Sequence, residues 1–450
     1  MKKTILLFTI TTLFLVSTGC KEGNWENLIT KDLSGWEQLN GTAPFRLEKG
    51  MIIGTTVLNS PNSFLCTKEK YSDFILEFDT WFDPNMNSGV QIRSESTPDY
   101  QDGRVHGYQV EMDPSSRAWS GGIYDEARRG WLYTLDNNPE GQKALKVGEW
   151  NHYRIEAIGN SIRTWINGVP CADLLDDMTP SGFIALQVHS IGDNESAVGE
   201  EVKWKNIRII TRDPDKYKTP YTPVIQQVSF LNNVLTDREE KEGWKLLFDG
   251  KTSANWMNAK TGVFPTSGWV IKEGTLTVDP RLKTDNGGGD IVTTRKFRNF
   301  ELIVDFLYSE GANSGIKYFV DTERDNGALA SIGCEYQILD DRLNPDAKAG
   351  ISGNHKLACL YDLIAPKNVR DNGSTNWNRA TIVVNGKKVQ HWLNGQLTVE
   401  YERSGPEWKE LVAKSKFKDI MGFGEGDEGR ILLQDHGTVV SFKNIKIREF

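Results

Sequence analysis

Asn87-Ser88-Gly89-Val90-Gln91-Ile92-Arg93 returns further along the chain as Asn313-Ser314-Gly315-Ile316-Lys317-Tyr318-Phe319, 313 against 87, an offset of 226 residues. Phe74 with Phe300 and Gly107 with Gly333 keep that offset. With small slippage the correspondence runs on through Trp150-Asn151 and Trp377-Asn378, then Trp165-Ile166-Asn167-Gly168 and Trp392-Leu393-Asn394-Gly395. It closes with Leu186-Gln187-Val188-His189 against Leu433-Gln434-Asp435-His436, and Lys205-Asn206-Ile207 against Lys443-Asn444-Ile445. A repeat of about 200 residues is far longer than a solenoid unit. The chain is a tandem of two whole domains.

Within each copy the hydrophobic period is two. Phe74-Ile75-Leu76-Glu77-Phe78-Asp79, the stretch from His152 to Ala157, and Ile303 to Leu307 alternate or run apolar over strand lengths between Gly and Asn turns. Asn167-Gly168 and Asn394-Gly395 are type I′ turn signals between apolar flanks, hence hairpins. Helical windows are scarce and no βα alternation appears, so each module is predicted to be all-β, an antiparallel two-sheet sandwich. The modules are placed at 21–210 and 243–450. Pro214, Pro220 and Pro223 mark 211–242 as a linker, where Thr236-Asp237-Arg238-Glu239 has capping-box spacing and predicts a short helix stopped by Gly243.

The 450 residues carry 61 acidic and 53 basic side chains, a net charge of −8. That balance argues against a basic nucleic-acid binder, and 38% hydrophobic residues argue against a disordered chain. Fourteen Trp and 42 Gly fit a turn-rich β protein. At the start, Lys2 and Lys3 precede an apolar run of 12 residues, Ile5 to Val16, and then Ser17-Thr18-Gly19-Cys20. Such a run rises only about 18 Å as helix, short of roughly 30 Å of hydrocarbon, so 1–20 is read as a cleaved export signal. Gly19-Cys20 resembles a bacterial lipoprotein processing site, which makes Cys20 the expected lipidation site and the cell envelope, periplasmic or outer-membrane surface, the expected location. Cys66, Cys171, Cys334 and Cys359 lack Cys-x-x-Cys spacing and are expected as small buried thiols.

Strand alternation selects the side chains that share a face. With Tyr108, Val110 and Met112 inward, Gln109, Glu111 and Asp113 lie on the opposite side. The same rule exposes Gln91 and Arg93 opposite Val90 and Ile92, and Gln187 and His189 opposite Leu186 and Val188. In the second copy it exposes Lys317, Glu335 with Gln337, and Gln434 with His436. Each copy thus offers an acid, amides, a cation and an imidazole, a set suited to hydroxylated ligands and proton transfer. A purely solvated polar sheet face is the competing explanation. His106, His152, His355 and His391 lack such company and are expected in packing or surface roles.

Gly243-Trp244-Lys245-Leu246-Leu247-Phe248-Asp249-Gly250, Asn313-Ser314-Gly315-Ile316, Glu335-Tyr336-Gln337-Ile338-Leu339-Asp340, Leu433-Gln434-Asp435-His436-Gly437 and Phe442-Lys443-Asn444-Ile445 together resemble the 3-keto-disaccharide hydrolase domain family. The first module is similar through Asn87 to Arg93, Gly107-Tyr108-Gln109-Val110-Glu111, Trp150-Asn151 and Leu186 to His189, without the Phe-Asp-Gly opening. The resemblance implies two concanavalin A-like jelly-roll sandwiches with ligand on the concave sheet. It also implies cleavage, by hydrolysis or elimination, of glycosides whose glucose ring already carries a ketone at carbon 3. The ketone acidifies the carbon 2 proton, so a base removes it while an acid protonates the leaving oxygen at carbon 1. A separate sugar 3-dehydrogenase is then expected upstream, because no nucleotide-binding Gly-rich turn is present.

On that footing His189 and His436 are expected to transfer protons, with Glu111 and Glu335 as partners or alternates. Arg93 and Lys317 are expected to polarise a ketone or enolate oxygen. Gln91, Gln109, Asp113, Gln187, Gln337 and Gln434 would bind hydroxyls, and Tyr124 and Tyr361 would stack on the ring or hydrogen-bond to it. No cofactor is expected; a divalent cation is left open, with Asp340-Asp341 as the acidic loop to inspect. A retaining β-glucanase would need E-x-D-x-x-E, and Glu111-Met112-Asp113-Pro114-Ser115-Ser116 breaks it at Ser116. The rival from another class is a sugar-binding lipoprotein without catalysis.

Overall fold

The computed structural model describes residues 24–284 and 287–450; the export-signal and Cys20 expectations lie outside the described residues. Each module is a sandwich of two antiparallel sheets. In the first, one sheet runs Gly130–Tyr133, Ile123–Glu126, His106–Met112, Ser88–Glu95, Phe183–Val188, Ser63–Thr67, Trp36–Leu39. Behind it stands a larger sheet centred on Asn151–Ile158, Phe74–Phe82 and Glu201–Ile210. The second module repeats this with a front sheet of Trp256–Asn258, Ile291–Thr293, Arg430–Leu433, Asn313–Val320 and Cys334–Leu339. Its back sheet is centred on Val440–Glu449, Phe300–Tyr308 and Asn378–Asn385. The fold is all-β, two jelly-roll sandwiches in tandem.

The period-two pattern explains the layers. Val90, Ile92, Tyr108, Val110, Met112 and Leu186 meet Phe74, Leu76, Phe78, Tyr153 and Ile155 between the first pair of sheets, all buried. Ile316, Tyr318, Tyr336, Ile338 and Leu433 meet Leu302, Val304, Phe306 and Ile382 in the second. Each such side chain contributes about 1.5–3 kcal/mol on burial, which is what fixes strand register. Asn167-Gly168 and Asn394-Gly395 adopt positive φ at both residues, the type I′ geometry that matches strand twist. The four cysteines among the described residues are free and buried.

On the site-bearing strands Ser88–Glu95 and Asn313–Val320 the alternation breaks at the same place in both copies. Arg93 has φ +45° and Phe319 φ +57°. Pairing to the neighbouring strand skips from Ile92 to Glu95 in the first module and from Lys317 to Val320 in the second. An extra residue in a strand is a β-bulge, and it turns the side chain to the other face. A glycine packs against each bulge: a Cβ on Gly182 would stand 2.4 Å from Arg93 C, and one on Gly429 would stand 2.3 Å from Phe319 Cα.

The linker docks onto both modules. Val228–Ser229 pairs in parallel with Leu174 and Leu175 at the edge of the first back sheet. The helix Asp237–Lys241 follows, its capping box made by Thr236 and Glu239. Ser229 O then accepts from Arg379 Nη1 at 2.7 Å, and Asn233 N–H donates to Asn444 Oδ1 at 2.5 Å.

Candidate functional site

The polar face of the first front sheet is not a solvated one. Gln91 and Gln187 are 0% exposed, Gln109 3% and Glu111 4%. Buried polar groups must be paired, and these pair in a directed array. Gln91 Nε2 and Gln187 Nε2 both donate to Gln109 Oε1, at 2.6 and 2.9 Å. That commits the Gln109 amide nitrogen, which donates to Glu111 Oε2 at 2.9 Å. Asn87 Nδ2 donates to the other oxygen, Oε1, at 2.8 Å, and Arg117 Nη2 lies 3.8 Å from it. Burial pushes Glu111 up to about 7, against the pull of the Asn87 and Gln109 amides. Gln187 Oε1 is buried with no donor among the described residues. Asp113 is engaged by Arg117 at 2.7 and 2.9 Å and by the Ser115 N–H and hydroxyl, so it braces the site. Tyr124 stands edge-on to Trp131, ring centroids 5.3 Å apart.

The second module builds a different cluster on the equivalent strands. Glu335, 5% exposed, lies 3.6 Å from Lys317 Nζ. Burial raises Glu335 above the usual carboxylate range, while Lys317, Lys416 and His436 pull it down and Asp290 pushes it up. The Gln337 amide lies 3.2 Å from Asn313 Oδ1 and 3.3 Å from Glu335 Oε1. Gln434 Oε1, like Gln187 Oε1, has no donor. Tyr361 donates to Asp346 Oδ2 at 3.0 Å, carries the Lys416 ammonium 4.1 Å above its ring, and lies against His355, centroids 4.3 Å apart. His355 is held between Asp346 Oδ1 at 2.9 Å and Asp362 Oδ1 at 3.0 Å.

A cavity of about 490 Å³ lies elsewhere, on the back sheet of the second module where the linker and the Gly130–Tyr133 strand cover it. Trp131, Trp377 and Trp392 line it. Most of its charges are paired within the protein, Arg379 with Asp305, Arg448 with Glu301, and Lys446 with Glu239. Glu111 and Glu335, raised by burial on the two front sheets, lie outside this cavity.

The sequence profile of the 3-keto-alpha-glucoside-1,2-lyase-like domain matches residues 24–210 and again 243–448. The chain belongs to this family, in two copies. A 3-keto-disaccharide hydrolase of Bacteroides thetaiotaomicron is 36% identical over 232 residues, 46% of this chain and 79% of that protein. A crystal structure from Parabacteroides distasonis, of a protein assigned as a glycosyl hydrolase, is 30% identical, with a TM-score of 0.45 over 49% of this chain and 99% of that one. A β-1,3-1,4-glucanase (lichenase) from a mouse hindgut metagenome is 15% identical, TM-score 0.29, covering 42% and 98%.

In this member of the 3-keto-alpha-glucoside-1,2-lyase-like family, three sequence expectations need correction. Arg93 is absent from the polar cluster: the bulge turns it away, and it donates to Ser72 O at 2.6 Å, Gly159 O at 2.7 Å and Asp73 Oδ1 at 3.1 Å. It is a clasp tying the front sheet to loops of the back sheet. In the second module the same task falls to Arg403, which donates to Gly386 O and lies 3.9 Å over Phe319. Arg93→Ala should therefore cost about 2 kcal/mol, from carbonyls left unpaired in the interior, and lower the melting temperature by several degrees with KM unchanged. His189 does not hydrogen-bond Glu111; it is exposed beyond the strand end, with Nδ1 2.7 Å from Ser190 O. His436 is also exposed, though its charge reaches Glu335.

The two acids do not occupy equivalent positions, as the 226-residue offset implies. Glu111 faces Gly89, whereas Gly315 faces Gln337, so Glu335 corresponds to Gln109 and not to Glu111. Acid and amide have exchanged places between the family's two copies in this chain. Asn87 and Arg117 were missed, although Asn-Ser-Gly recurs and Arg117 stands four residues from Asp113. His355, Asp346 and Lys416 come from loops without a counterpart period, which no alternation could reveal. Asp340, the acidic-loop candidate, accepts the N–H groups of Gly311, Arg342 and Leu343 and forms a turn.

Proposed function

We propose that this chain is a carbohydrate hydrolase or lyase that cleaves glycosides oxidised at carbon 3, using one buried carboxyl in each module. The observation that carries this is the same in both copies: a carboxyl buried on the front-sheet face, lifted above its ordinary range, beside a cation at 3.6–3.8 Å. Family membership and the Bacteroides relative's name support the sugar class.

The chemistry follows from the charges. A carboxyl lifted by burial, to about 7 for Glu111 and upward for Glu335, is a stronger base than an ordinary carboxylate. Glu111, or Glu335, takes the carbon 2 proton; the electron pair forms an enolate whose oxygen, at carbon 3, is stabilised by Arg117 or Lys317. The carbon 1 to oxygen bond then breaks, and the leaving oxygen takes a proton. Elimination ends there, and addition of water to the new double bond gives hydrolysis. Gln187 and Gln434 each offer an unpaired buried carbonyl to a sugar hydroxyl, which favours a ligand that donates hydrogen bonds. Asp113 is too fully engaged to serve as the nucleophile of an ordinary retaining glycosidase.

Lipid anchoring at Cys20, an envelope location and an upstream sugar 3-dehydrogenase complete the proposal. The deciding assay incubates the purified chain with a 3-keto-glucoside and with its unoxidised parent. Release of the aglycone from the ketone only is expected; equal action on both supports a conventional glycosidase, and binding without turnover supports a sugar-binding protein.

A further inference from the structure

The wall of the first module's site includes a side chain of the second. Two guanidinium groups lie on the indole of Trp119: Arg117 at 5.2 Å from the ring centroid and, from the other module, Arg370 at 4.6 Å. Arg117 is neutralised by Asp113 and approaches Glu111. Arg370 has no direct ion pair among the described residues, although the Asp136 charge acts on it. Among the described residues no carboxylate oxygen stands within 4.0 Å of its guanidinium, and its buried Nη1 has no acceptor. The ionisable groups around it are Asp136, Arg117 and Tyr124. Asp136 is already engaged, accepting from Trp119 Nε1 at 3.1 Å, from the Thr134 hydroxyl at 2.9 Å and from Gln396 Nε2 of the second module at 2.5 Å.

The segment carrying Arg370 is pinned. Asn394 Nδ2 donates to Arg370 O at 2.7 Å, the Tyr308 hydroxyl donates to Asp371 Oδ2 at 2.6 Å, and the Asn372 N–H donates to Asn378 Oδ1 at 2.9 Å. A guanidinium so fixed and half-buried, with one nitrogen lacking an acceptor and the neighbouring carboxylate Asp136 bonded to other donors, keeps hydrogen-bonding capacity that an oxyanion can fill. Its planar fork fits an oxyanion bidentately.

We propose that Arg370 completes the first module's site from across the module boundary, and that this site takes a glycoside bearing an oxyanion, a carboxylate or a sulfate ester. The proposal rests on the glycoside assignment above and narrows it to anionic sugars for one of the two modules.

The test titrates the full mature chain with methyl β-D-glucuronide, methyl β-D-glucoside 6-sulfate and methyl β-D-glucoside, following tryptophan fluorescence and heat. One of the two anionic sugars should bind about 10- to 100-fold more tightly than the neutral one, the range expected for hydrogen bonds to a charged group. Which of them does so identifies the oxyanion. Arg370→Ala should abolish the preference, and Arg370→Lys should keep part of it. Raising salt should shrink the preference in the wild type. Equal affinity for all three sugars, or a preference that survives Arg370→Ala, overturns the proposal. Turnover of 3-keto-glucosides is measured separately, so loss of the cleavage assignment with retention of the anion preference is recognisable.

Discussion

Glu111→Gln and Glu335→Gln, made singly, should each remove one of two components of turnover on a 3-keto-glucoside, and the double variant should fall to background. Acid–base catalysis by a placed side chain contributes roughly 10²–10⁴-fold, so each module's kcat should drop by at least about a hundredfold. Gln preserves volume and most hydrogen bonds, which keeps the fold intact. The partners differ, however. Glu111 accepts from two amide donors, and Gln in its place sets its own NH₂ against one of them, so a modest rise in KM should accompany the loss of kcat. Single-turnover kinetics on the three variants separates these effects. Full activity in the double variant would transfer the proton chemistry to other groups, with His355 the first to test because its ring bridges two aspartates beside Tyr361.

The second large effect is a dependence on pH with an unusual sign. Glu111 ionises near 4.5 when unfolded and near 7 when folded, so between these values the folded chain holds a proton that the unfolded chain has released. The stability associated with the buried, protonated carboxyl is fully present below 4.5 and is lost as pH climbs towards 7. The gap is worth roughly 3 kcal/mol. Glu111→Gln lacks this term. Relative to that variant, the wild type should lose stability from pH 4.5 to 7 and no more above it, measured by denaturant melts of the first module's transition. Turnover should move oppositely, rising through about pH 7 in a Glu335→Gln background as the base form appears. A flat stability difference would show that Glu111 titrates in the ordinary carboxylate range.

The sheet architecture was legible because hydrophobic period and turn chemistry act locally, and both recur in the two copies. Gln109, Glu111, Gln91 and Gln187 were found for the same reason: they obey alternation on strands whose inward residues are unambiguous. Arg93 was misplaced because one extra residue in a strand leaves no mark in composition, while it reverses the side chain's face. The exchange of acid and amide was legible too, since the 226-residue offset puts Gln337 at the place of Glu111 and Glu335 at that of Gln109, and the register against Gly89 and Gly315 agrees. The reach of Arg370 and Gln396 into the first module depends on how two domains dock, which no periodicity encodes.

Two residues along an extended strand is a displacement of about 7 Å, close to the breadth of one pyranose unit. The trading of Glu and Gln between matching strand positions therefore shifts the reactive oxygen by nearly a whole saccharide from one copy to the other. A duplicated gene altered in this way no longer encodes a spare. On the proposed function, its halves would address neighbouring points on a glycan, or different glycans, and selection could tune either without disturbing its twin.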